Sequence, residues 1–361
     1  MDKQMIKEKL AQVFAGLEED FSGACLLKTA DDILLAEARG LANRDWQIPN
    51  AIDTPFESAS VTKTFTAAAV LLAVKEGLLK LDDKITEIID LSGTKIPADV
   101  TIEQLMNHTS GIADDAEEEA GEDYSDLYIT KPCYSVRTCA DLLPGFVHKE
   151  PNFKAGTDVR YNNCAFVLLA LAVEKLTGVD YHGFVTRRIF AVCGMEHSGF
   201  FHKDEPGHAV AEGYFTVTDE AGNVKWKKNI FSHPPIGTAD GGAYTTVGDL
   251  DKFFRAIQAG TLLNRYYSDL FLQPHNVLTR PHTRPIPHGI WRTGYAFEFI
   301  EDADTVFCIY KEGGDHGVDA IFSYFPPLDL SLNILANVEN GTLWKLYNQM
   351  KAVLYEAYCT Q

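Results

Sequence analysis

The run from Thr64 to Val74 is rich in Ala and Leu, and neither Gly nor Pro appears before Gly77. A stretch too apolar to turn any side to water reads as a buried helix, here of about five turns starting near Ser60. Ser60 and Lys63 then share its first turn. Positions i and i+3 of a helix lie roughly 5–6 Å apart at Cβ, so the Lys63 amine can fold back onto the Ser60 hydroxyl. A helix start also offers free N–H groups and a positive dipole end, and burial lowers a lysine's pKa towards that of a usable base. The spacing alone is weak, since a chain of this length carries about one Ser-x-x-Lys by chance. A second copy, Ser92-Gly93-Thr94-Lys95, precedes Ile96-Pro97 and reads as a loop.

At 361 residues, 46% of them hydrophobic, the chain can bury a large core. No apolar run reaches the roughly 18 residues of a membrane span. Residues 1–10 read as a charged amphipathic helix without the apolar centre of a secretory signal, so a cytoplasmic location is expected unless a leader has been removed. The seven cysteines are odd in number and lack metal-ligand spacing, which points to reduced packing residues. A net charge of −19 argues against nucleic acid and anionic membrane surfaces as partners. No histidine pair has ligand spacing on a helix, so neither metal nor cofactor is expected.

Alternating runs at 23–28 and 33–38 form a predicted hairpin, one face of its sheet covered by the N-terminal helix. Residues 82–235 look helical and loop-rich, without strand pairs. Thr101 caps a short helix ending at Asn107-His108-Thr109-Ser110-Gly111. Asp114 to Asp126 holds eight acidic residues in thirteen positions, the composition of a solvated loop. Another apolar helix runs from Cys164 to Thr177, and Gly237 to Gly242 is a tight turn before a helix capped at Thr246. Strands return at 295–300, 305–310, 320–325 and 330–336, and a helix from Leu343 closes the chain. The expected fold is therefore α/β (α+β): an antiparallel sheet built from both termini, flanked by helices, with a mainly helical region inserted. The expected boundaries are 1–81 and 236–361 for the sheet domain and 82–235 for the insert, with a cleft between them.

Tyr161-Asn162-Asn163 opens the second apolar helix. A Tyr hydroxyl near a lysine can relay a proton, and an Asn two residues on can orient that lysine and a substrate amide. Lys311-Glu312-Gly313-Gly314 follows a strand, offering a cation and bare backbone N–H donors. In this order, Ser60-x-x-Lys63, Tyr161-x-Asn163 and Lys311-x-Gly313 resemble the three active-site motifs of the penicillin-recognising serine hydrolases. The Tyr form of the second motif is similar to the class C β-lactamase branch, which includes D,D-peptidases, D-aminopeptidases and esterases. Segments 105–112, 194–199 and 240–250 also resemble that family's landmarks, and the likeness covers roughly residues 20–340.

The resemblance implies a β-lactamase/transpeptidase-like fold and an acyl-enzyme on Ser60. Lys63 would be its base or the base's partner, Tyr161 a proton shuttle, Asn163 an orienter and Lys311 an electrostatic support. Backbone N–H groups of Ser60 and Gly314 would form the oxyanion hole. Which of Lys63 and Tyr161 takes the first proton stays open, since coupled groups titrate as a pair. Glu312 departs from the Thr or Ser usual in such β-lactamases. Facing the site it would repel a ligand carboxylate, whereas strand alternation could turn it away. His108 reads as packing, and His316 is a candidate pocket residue. The expected activity is an esterase or amidase acting on small molecules; the alternatives are a β-lactamase or D,D-peptidase, and a non-catalytic binding or self-assembling protein.

Overall fold

The computed structural model describes residues 3–17, 21–122, 124–277 and 289–360. Its frame is an eight-stranded sheet made of β1 (Gly23–Lys28), β2 (Ile33–Arg39), β3 (Asn276–Val277), β4 (Ile290–Thr293), β5 (Glu298–Asp302), β6 (Thr305–Asp315), β7 (Val318–Phe325) and β8 (Leu330–Ala336). The strands lie in the order β2-β1-β8-β7-β6-β5-β4-β3, and every neighbouring pair is antiparallel. The first hairpin joins the last strand, with Gly23 opposite Ala336 and Lys28 opposite Ser331. The sheet is thus closed from both ends of the chain, as the strand pattern predicts.

Helix α1 (Lys3–Ala15) and the closing helix α5 (Thr342–Cys359) cover one face. Ile6, Leu10 and Phe14 meet Leu346, Met350 and Leu354 over Cys25, Tyr310, Ile321 and Ile334. The other face belongs to a separate core that takes in α2 (Thr62–Lys75), α3 (Cys164–Thr177) and α4 (Val247–Gln258). Every residue of α2 from Thr62 to Ala73 is buried. Its polar groups are satisfied inside: Thr64 Oγ1 donates to the Val61 carbonyl at 2.8 Å, Thr66 Oγ1 to that of Ala239 at 2.6 Å, and Thr62 Oγ1 accepts from the Ala243 N–H at 3.0 Å. None of the described helices is long and apolar enough to cross a membrane.

Several expectations need correcting. Ser60 is not on the α-helix: it lies in a single 3-10 turn, Ala59–Val61, and α2 starts at Thr62. The stretch expected to lack strand pairs contains the hairpin Tyr214–Thr218 and Val224–Lys228. Its signal is local, because the Asp219 carboxylate accepts from the N–H groups of Ala221 and Asn223 and shapes the turn. The strand expected at Tyr295 starts at Glu298, since Ala296 turns the backbone left-handed at φ +61°. Strand β6 runs on to Asp315, so Lys311, Glu312, Gly313 and Gly314 lie within it. Met1 and Asp2 of the N-terminal helix, and Asp123 of the acidic run, lie outside the described residues.

Candidate active site

Ser60 sits where α2, α3 and β6 converge. Ala59, just before it, holds a left-handed φ of +41°, a conformation that costs a non-glycine residue of order 1–3 kcal/mol. Strand β6 presses against this turn: a Cβ on Gly313 would lie 2.4 Å from the Ser58 carbonyl oxygen and 3.1 Å from the Ser60 nitrogen. Only glycine permits that approach, which puts the end of β6 beside the Ser60 N–H. The next residue, Gly314, lines the same cleft.

Lys63 is fully buried, and its Nζ lies 3.0 Å from Ser60 Oγ, 2.7 Å from Asn163 Oδ1 and 2.6 Å from the Asp240 carbonyl oxygen. Burial pushes its pKa down to about 8; Asp240 opposes the shift and Lys311 adds to it. The neutral amine keeps two N–H groups for Asn163 and Asp240, leaving its lone pair to Ser60. Tyr161 Oη donates to Ser60 Oγ at 2.6 Å, and burial, reinforced by Glu118, holds the phenol well above its usual pKa. The Nζ atoms of Lys63 and Lys311 lie 4.9 and 4.7 Å from the Tyr161 ring centroid. Lys311 also pairs with Glu298 at 3.0 Å. Of the two groups on Ser60, the amine is therefore the one tuned to accept a proton near neutrality, and the phenol is tuned to keep its own.

The structure brings Ser60, Lys63, Tyr161, Asn163, Lys311, Gly313 and Gly314 together and sends Glu312 elsewhere. Cross-strand partners share a sheet face. Lys311 and Gly313 pair with Phe322 and Ala320 on the α2 side, whereas Glu312 pairs with Ile321, whose side chain belongs to the core under α1 and α5. The Glu312 charge accordingly acts on Cys308, Tyr310 and Tyr347. Its expected place in the substrate site is wrong, because strand alternation turns it away.

The acidic run is likewise not simply solvated. Asp114 is buried and accepts from the N–H groups of Asn163 at 2.7 Å and Cys164 at 3.0 Å, capping α3 from fifty residues away. Burial, then repulsion from Asp115, raises its carboxyl pKa. Asp114, Asp115 and Cys164 cluster closely enough to suggest a metal, but both Asp114 oxygens already serve that cap. Glu118 reaches the cleft itself, lining it with Ser60, Asn163, Asp240, Gly314 and Asp315. Glu118 is exposed as a residue, yet partial desolvation of its carboxyl beside the cleft raises its pKa, Lys63 counters this in part, and Asp315 adds repulsion.

His108 packs, as expected. Its ring lies against Tyr161 and Phe166, with centroids 4.9 and 5.3 Å apart, and Nδ1 accepts from the Asn162 N–H at 3.2 Å. Burial, then Lys311 and Lys63, holds it well below its ordinary pKa and therefore neutral. His316 is outside the cleft, stacked on Phe215 and 3.0 Å from Glu339; the cleft histidine is His233. No spacing in the sequence announces Glu118, His233 or the Asp240 carbonyl, because each reaches the site through tertiary packing alone.

A serine hydroxyl held between a buried amine and a phenol, beside a glycine-bearing strand, is the arrangement of the penicillin-recognising serine hydrolases. The Beta-lactamase family model matches residues 4–343, and the chain belongs to that family. A penicillin-binding protein from Bacillus halodurans is 32% identical, with a TM-score of 0.84 over 98% of this chain and 100% of that one. A curated penicillin-binding protein of Bacillus subtilis (strain 168) is 30% identical over 206 residues, 56% of this chain but only 43% of that protein. A D-amino acid amidase from Ochrobactrum anthropi SV3, 20% identical with a TM-score of 0.73 over 99% of both chains, shares the fold.

Proposed function

We propose that this protein hydrolyses small esters or amides through an acyl-enzyme on Ser60. The observation that carries the proposal is that Ser60 Oγ meets Lys63 Nζ at 3.0 Å and Tyr161 Oη at 2.6 Å. Neutral Lys63 takes the Ser60 proton as Oγ attacks the carbonyl carbon. The resulting oxyanion lies between the N–H groups of Ser60 and Gly314. Collapse expels the alcohol or amine, which takes the Tyr161 proton, and the Lys63 proton restores the phenol. A water molecule then attacks the ester carbonyl, giving its proton to the same pair, which passes it to Ser60 Oγ as the acyl–Oγ bond breaks and the acid leaves.

The cleft favours substrates without a carboxylate next to the scissile bond. Glu118 and Asp315 line it, and Lys63 and Lys311 offset the Glu118 charge only in part, so a bound anion would meet negative charge there. That supports an esterase or amidase over a β-lactamase or D,D-peptidase, whose ligands carry such a group. A fluorophosphonate probe should label Ser60, and Ser60→Ala should lose labelling and at least about 10³-fold of aryl-ester turnover. Turnover within tenfold of the parent would remove Ser60 as nucleophile. A penicillin and a D-amino-acid amide beside the ester separate the substrate classes.

A further inference from the structure

His233 is buried, and both its ring nitrogens face acceptors. Nδ1 is 3.0 Å from Glu57 Oε1, while Nε2 is 3.1 Å from the His316 carbonyl oxygen and 3.7 Å from Asp315 Oδ1. A neutral imidazole has a single N–H and can donate either to Glu57 or towards the end of β6, not to both, whereas the imidazolium donates to each side. Reversing the ring would not change that demand. Glu57 lies three residues before Ser60 in a short strand, Phe56–Glu57, and Asp315 follows Gly314 at the end of β6. The ring therefore ties together the two backbone segments that carry the Ser60 and Gly314 N–H groups. The mechanism above makes no use of it.

We propose that His233, as an imidazolium, is a positioning residue that sets the spacing of the oxyanion donors by bridging Glu57 to the end of β6. The proposal rests on the acyl-enzyme reading of Ser60. Other groups face the ring too. Lys203 pairs with Glu57 Oε2 at 2.9 Å, and the Asn229 amide lies 3.4 Å from Nε2 and donates to the His316 carbonyl at 3.0 Å. Burial lowers the His233 pKa and Lys203 adds to this, but the charge and hydrogen bond of Glu57 together with Asp315 outweigh them, so the net shift is upward. Burial also raises the Glu57 carboxyl, yet His233 and Lys203 together hold it well below the usual range. The imidazolium is lost as pH rises through the elevated pKa, and the donor spacing loosens with it.

Acylation by an aryl ester, followed from pH 6 to 9.5, tests this. In the parent, loss of the His233 proton with rising pH opposes the climb that Lys63 deprotonation drives. His233→Gln should lose about tenfold in kcat with KM changed less than twofold, and its pH profile should follow the Lys63 limb alone. A folded His233→Gln with the parent's rate and profile overturns the proposal, while a parent that forms no acyl-enzyme overturns the function it rests on. Should the variant not fold, nitrogen NMR of the parent decides. Two protonated ring nitrogens on His233 at pH 7 are expected, and a single neutral tautomer there overturns the bridge even if no ester is turned over.

Discussion

The floor and the rim of the cleft are built by different means. At the floor, Ser60, Lys63 and Asn163 come from two buried helix starts and Lys311 from a central strand. There Lys63 and Lys311 are held by regular backbone, and the hydrogen bonds of Lys63 run to Ser60, Asn163 and the Asp240 carbonyl. At the rim, Glu118 lies in a short 3-10 turn of an irregular stretch and His233 in a loop, each placed by contacts far away in sequence. The floor is buried and closely hydrogen-bonded, whereas the rim carries charged side chains that line the cleft. On the proposed function, reaction type belongs to the first region and substrate choice to the second, so substitutions should separate along the same line.

The largest separation is expected at Lys63. An arginine cannot give up its proton and is longer than the space between Ser60, Asn163 and the Asp240 carbonyl, so Lys63→Arg should lower acylation by at least about 10³-fold for every substrate alike. With Lys63 as the proposed base, usable only when deprotonated and with its pKa depressed to about 8, the acylation rate of the parent should rise with pH through that value. Pre-steady-state acylation by an aryl ester and by an amide checks both points. A flat limb from pH 6 to 9 with chemistry rate-limiting, or a loss confined to one substrate, would break the division between floor and rim.

That division also marks what the sequence can disclose. Ser60 to Lys63, the apolar helix behind them and the capped helix at Thr246 are legible because spacing and periodicity are local properties of the chain. Even the third motif is legible as a motif, although it lies within β6 instead of following a strand. The side on which Glu312 falls is not legible, because one residue of register reverses a strand's faces, and register is fixed by β7 and β5. Asp114 looks like one more charge in a solvated run until its carboxylate is seen to cap a helix start. The pairing of His233 with Glu57 spans 176 positions with no pattern linking them.

Asp114 is the place where rim and floor touch. Its carboxylate holds the N–H groups of Asn163 and Cys164, and Asn163 in turn orients Lys63. Asp114→Ala leaves two buried donors without an acceptor and should cost about 2 kcal/mol of stability. Because Asn163 then shifts, kcat should also fall by about tenfold, alike for esters and amides. Denaturant unfolding together with kcat on both substrates tests this. A stability loss with selectivity altered but rate intact would assign Asp114 to the rim alone.

The smallest expected effect distinguishes two glutamates that the sequence cannot tell apart. Glu118 and Glu312 both lie near motif residues, and either could repel an anionic ligand. Only Glu118 lines the cleft; Glu312 acts on the far side of the sheet, beneath α5. A single carboxylate near a partly hydrated site changes the energy of a bound anion by about 1 kcal/mol at low salt, or roughly fivefold in binding, and by less as salt screens it. Glu118→Gln should therefore raise kcat/KM for a cephalosporin about fivefold relative to a neutral aryl ester, with the gain shrinking in high salt. Glu312→Gln should leave that ratio unchanged, because its charge is separated from the ligand by the strand itself. Steady-state constants for the two substrates on three proteins suffice. If Glu312→Gln moved the ratio as far as Glu118→Gln, the field would be a property of the net charge and not of the rim. If the parent hydrolysed the cephalosporin as efficiently as the ester, the carboxylates at the rim would have no part in substrate choice.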